Sequence, residues 1–100
     1  MFVFSFKRII DIEWLFRDSY GVETSIAVYA ADNFAPLNSY VGRVIFVPNA
    51  GISLPGITQA DGGTYQAVVN GLDANGDFVF LNTTAFVSVS DSKLKYSTTL

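Results

Sequence analysis

The chain has 100 residues, a net charge of −3, half its residues hydrophobic and 15% aromatic. That is enough for one domain with a real core, and it excludes a disordered chain and a basic nucleic-acid surface. With no His and no Cys, the commonest general base, the thiol nucleophile and the usual transition-metal ligands are missing together, and no disulfide can form.

The chain then runs through short alternating or apolar segments rich in Phe, Val, Ile, Tyr and Thr, the pattern of strands. Met1–Arg8 is too short for a secretion signal, and its charges follow the apolar part, so the expectation is a domain excised from a longer chain. Phe2–Lys7 alternates, with Phe2, Phe4 and Phe6 on one face. In Ile10–Phe16, Ile10, Ile12, Trp14 and Phe16 face one way and Asp11, Glu13 and Leu15 the other. Further strands are expected at Ser25–Ala30, Arg43–Val47, Ile52–Ile57 (weakened by Pro55) and Thr64–Asn70. Asn75-Gly76 supplies the positive φ angles of a hairpin turn. Asp77–Leu81 and Ala85–Val89 follow as one long strand with a kink or bulge at Asn82-Thr83-Thr84. Residues 92–100 are polar and form a tail or one more edge strand, leaving residues 1–91 as the domain. Many short strands with turns between them predict an all-β antiparallel sandwich or barrel.

One motif narrows this. Asp61-Gly62-Gly63-Thr64-Tyr65-Gln66-Ala67 fits the D-x-G-x-Y-x-C signature that leads into strand F of immunoglobulin domains, with Ala67 in the Cys position. In that signature the Tyr packs at a corner and its hydroxyl bonds back to nearby backbone. Trp14 upstream suits the strand C tryptophan, and Arg43 is placed to pair with Asp61 across the end of the sandwich. Trp14, Arg43, Asp61, Gly63 and Tyr65 are read as structural rather than catalytic.

On these residues, and on the strings DIEWLF, SIAVYAAD, GRVIFV and DGGTYQA, the chain resembles variable-type immunoglobulin-like domains. It is similar to the outer domains of the coxsackievirus and adenovirus receptor group of junctional adhesion proteins, and to cysteine-poor invertebrate allorecognition receptors. The resemblance implies an antiparallel sandwich lacking the B–F disulfide, with Phe4 or Phe2 facing Ala67 in its place. It also implies that the chain begins at strand B, so that strand A is absent and a sheet edge is open. It implies a cell-surface recognition or adhesion domain, on the extracellular side of the plasma membrane within a larger receptor. Its partner would be a like domain, bound homophilically through the sheet of strands G, F, C and C′. By parity the outer face of that sheet should carry Glu13, Leu15, Gln66, Val68 and Asn70, with Ala27 and Tyr29 from strand C′ and either Phe78 and Phe80 or Val79 and Leu81 from strand G.

Other readings are weaker. A tandem-array spacer domain with no ligand of its own would share the fold. Asp11 and Glu13 on one strand face lack the partner that acid–base catalysis needs, so no enzyme, cofactor or metal is expected. The acidic turn at Asp73–Asp77 lacks the ligand spacing of a calcium loop. Asn82-Thr83-Thr84 fits the N-glycosylation acceptor pattern.

Overall fold

The computed structural model describes residues 8–47, 51–88 and 98–99. Strands β1 (Arg8–Arg17), β2 (Glu23–Ala30), β3 (Asn33–Pro36), β6 (Gly63–Leu72) and β7 (Phe78–Val87) form a five-stranded sheet in the order β3-β2-β1-β6-β7. Strands β4 (Ile45–Val47), β5 (Gly51–Leu54) and β8 (Thr98–Thr99) form a three-stranded sheet in the order β4-β5-β8, and all ladders are antiparallel. The first order matches strands C″, C′, C, F and G of a variable-type domain; β4 and β5 take the places of D and E.

The core lies between the sheets. Trp14 is buried on β1 and meets Phe34 and Phe46 edge-on, with ring centroids 6.0 and 6.4 Å apart. Phe46 comes from the small sheet and also stacks on Tyr29 at 5.0 Å. It therefore joins the sheets through aromatic packing, each such pair adding about 0.5–1.5 kcal/mol beyond simple burial. Ile52, Leu54 and Ile57 complete the floor from the other side, each fully buried. Alternation in β5 follows from this, since Ile52 and Leu54 face the core while Ser53 does not. Pro55 has no N–H to donate and follows the last residue of β5.

Several sequence expectations change here. The strand C equivalent is longer than Ile10–Phe16, with a register shift between Ile9 and Asp11 that leaves Ile10 as the extra residue. Asn33–Pro36 is a strand that the turn-forming Asn and Pro concealed; its pairing with Ala27–Ala30 supplies what local propensity does not. The kink expected at Asn82-Thr83-Thr84 is absent. β7 stays in step with β6 from Leu72 opposite Phe78 to Gly63 opposite Val87, because the ladder holds polar residues in strand geometry when their side chains face water.

The hairpin joining β6 and β7 is also built differently. Of Asn75 and Gly76, only Gly76 takes a positive φ, at 81°. The turn is organised by Asp73, whose carboxylate accepts the N–H groups of Asn75 and Asp77 at 2.9 and 3.0 Å, an Asx turn followed by a glycine. Phe2–Lys7, read as strand B, lies outside the described residues. On the flank of β5 where a B strand would run, Thr99 and Thr98 pair with Ser53 and Leu54.

Candidate functional site

The strand-F motif builds a closed structural corner. Asp61 is 5% exposed. Its carboxylate accepts two hydrogen bonds from Arg43 Nη2, at 3.2 and 3.1 Å, and the backbone N–H of Thr58 at 2.8 Å. These satisfy a charge that would otherwise be costly to bury. The Tyr65 hydroxyl donates to the Asp61 carbonyl at 2.6 Å. Burial pushes that hydroxyl well above the ordinary tyrosine range, with the nearby Tyr40 and Asp61 adding to the effect. Arg43 also lies over the Tyr40 ring, 5.5 Å from its centre. Gly63 has a φ of 155°, and a Cβ there would sit 2.5 Å from the Arg17 carbonyl oxygen and 2.8 Å from Phe16 Cε1. Phe16 in turn packs on Tyr65 at 4.9 Å. All these groups are occupied with one another. Ala67 pairs with Trp14 and is partly buried against the core.

The outer face of the five-stranded sheet is the remaining candidate. Pairing fixes its rows, because directly opposed residues share a face. Trp14 and Phe16 point inward, so Glu13 and Leu15 point outward, and they oppose Val68 and Gln66 of β6. Across β7 the same rows continue to Asn82 and Thr84, then to Phe80 beside Asn70, Phe78 beside Leu72 and Phe86 beside Thr64. Phe78 and Phe80, and not Val79 and Leu81, are thus the outward set of β7. Glu13, Leu15, Gln66, Val68 and Asn70 come together on this face as their parity requires.

Tyr29 does not. It opposes Ile12, stacks on Phe46 and belongs to the inner side, with its hydroxyl 3.3 Å from Asp32. Ala27 is likewise fully buried opposite Trp14. The cause is a bulge: the β1–β2 register shifts between Trp14 and Leu15, leaving Ile26 as an extra, buried residue. One extra residue inverts the parity of the rest of the strand. Val28, opposite Glu13, takes the outward place.

The face mixes apolar groups with a few fixed polar ones. Gln66 Nε2 donates to Asn82 Oδ1 at 2.8 Å, and Asn70 Nδ2 donates to Asp11 Oδ1 at 2.7 Å. Arg17 and Glu23 form an exposed ion pair at 2.8 Å, worth at most about 1 kcal/mol in such a setting. A small depression on this face is lined by Leu15, Arg17, Glu23, Thr64, Gln66 and Thr84. Asn82, in the acceptor tripeptide, is exposed on this face. Among the described residues no three His, Cys, Asp or Glu side chains come together as a metal site, and no helix is long and apolar enough to cross a membrane.

The solved structure of murine CRIg superposes with a TM-score of 0.69 over 84% of this chain and 74% of that one, at 19% identity. The fold is immunoglobulin-like. No family model and no curated protein sequence matches the chain. At this identity the likeness concerns the arrangement of strands.

Proposed function

We propose that the chain is a recognition domain that binds a like immunoglobulin domain through the outer face of its five-stranded sheet, on the extracellular side of a cell-surface protein. One observation carries this reading. The outward face of β1, β6 and β7 brings Leu15, Val68, Phe78 and Phe80 together on a surface held by few charges. A face meant only for water would alternate apolar-in with polar-out. Contiguous exposed apolar surface with a polar rim marks a contact site. Arg17 and Glu23 supply the rim, Glu13 stands between Val28 and Val68, and the Gln66–Asn82 and Asn70–Asp11 bonds fix polar groups within the face. Such a mixture suits a reversible interface of standard size or smaller. The immunoglobulin-like fold supports a binding role by analogy and supplies no ligand.

Sedimentation velocity over a concentration series tests the proposal. The average mass should rise with concentration, and Leu15→Arg and Val68→Arg should each lower it by placing charge in the contact. Equal behaviour of both variants and the parent, together with failure to bind cells displaying the full receptor, would overturn the reading.

A further inference from the structure

We infer that β7 is a second association surface, a sheet edge built to pair with the same strand of another copy. Among the described residues β7 has β6 on one side and no strand on the other. Natural edges are blunted by Lys, Pro, bulges or brevity. Phe78–Val87 has none of these: it runs for ten residues without a charge, a proline or a register shift against β6. Its outward row carries Phe78, Phe80 and Phe86, which are 82, 59 and 77% exposed.

The occupant is identified by self-complementarity. An antiparallel pair of identical strands has a two-fold axis perpendicular to the sheet, which keeps both outer faces on one side and allows only registers that oppose residues of equal parity. Two such registers lie at the middle of β7. Centred on Asn82, Phe78 meets the partner's Phe86 and Phe80 meets the partner's Thr84. Centred on Thr83, Phe80 meets the partner's Phe86 and Val79 the partner's Val87. Either register sets phenylalanine against phenylalanine twice, across an edge on which no like charges oppose each other. The three rings offer roughly 300–500 Å² of apolar surface per copy. A specific interface needs roughly 600–1,000 Å² per partner, and the paired backbones and inward side chains supply the balance. The product is one continuous ten-stranded sheet whose two outer faces lie side by side.

The edge shares Phe78 and Phe80 with the face proposed above, whereas Leu15 belongs only to that face and Phe86 carries only the edge. The test therefore uses the full chain carrying Leu15→Arg, which disables the face and leaves the edge. Sedimentation of that variant should show a monomer–dimer equilibrium, and adding Phe86→Lys should weaken it at least tenfold. Amide hydrogen exchange should slow at least tenfold with rising concentration at alternate residues of Phe78–Val87, the ones whose N–H points away from β6. A Leu15→Arg chain that stays monomeric to millimolar concentration would overturn the inference. So would a dimer whose β7 amides exchange equally at all concentrations. Neither result bears on the parent chain's use of Leu15 and Val68.

Discussion

Replacing Gly63 with alanine separates two costs that glycines carry, because the structure provides a matched control. At Gly63 the added Cβ meets a backbone oxygen at 2.5 Å and a core ring carbon at 2.8 Å. The oxygen belongs to Arg17, which is locked in the β1–β6 ladder opposite Thr64. Phe16 is held against Tyr65. Neither can retreat without breaking other contacts, so overpacking of about 1–3 kcal/mol adds to backbone strain of about 1–3 kcal/mol for a side chain at this φ. Gly76 also has a positive φ, but its Cβ would enter open space. Gly76→Ala should cost only the left-handed strain, about 1–2 kcal/mol. For a domain of this size each kcal/mol shifts the melting temperature by about 4–8 °C. Thermal unfolding by circular dichroism should therefore place Gly63→Ala more than about 10 °C below the parent and clearly below Gly76→Ala. Equal melting temperatures for the two variants would refute the packing of the strand-F corner described here.

Three further outcomes follow from the same corner. Tyr65→Phe leaves the buried Asp61 carbonyl without its 2.6 Å donor and should cost about 1–3 kcal/mol in urea unfolding, with the m-value unchanged. The raised Tyr65 ionisation has a defined sign: below its ordinary value of 10.0 both states keep the proton, and above it only the unfolded chain loses it readily. Stability should therefore be insensitive to this group below that pH and fall as pH climbs beyond it; Tyr65→Phe should make the alkaline decline shallower, as read by urea midpoints across the range. Arg43→Met leaves the buried Asp61 carboxylate without its cation and should cost more than Asp61→Ala, which leaves an Arg43 side chain that reaches water; chemical denaturation of the two variants checks the order.

The corner was readable in the sequence because its parts are local or lie at fixed offsets. Asp61, Gly63 and Tyr65 sit within one short motif, and Arg43 meets Asp61 through a spacing that the fold dictates. The outward positions of Glu13, Leu15, Gln66, Val68 and Asn70 followed from a single fact, that Trp14 and Tyr65 face inward. Parity fails where a strand is irregular. The Ile26 bulge exchanged the faces of Ala27–Ala30 and brought Tyr29 inside, and no sequence signal marks a bulge flanked by β-formers on both sides. The phase of β7 depends on how many residues the Asp73–Asp77 turn absorbs, so choosing between Phe78/Phe80 and Val79/Leu81 required the ladder itself. Asn33–Pro36 forms a strand because β2 offers a partner, while its own residues favour turns. The Asn82-Thr83-Thr84 stretch stays straight for the same reason.

The central claim is that the outer face of the five-stranded sheet is where this domain binds. Residue-resolved amide shifts followed through a concentration series test it most directly. Association through that face moves the resonances of Glu13, Leu15, Gln66, Val68 and Asn70 together and leaves Ile52, Leu54 and Ile57 still. Shifts confined to the small sheet around Ile45 and Ser53, with the outer face unchanged, would contradict it.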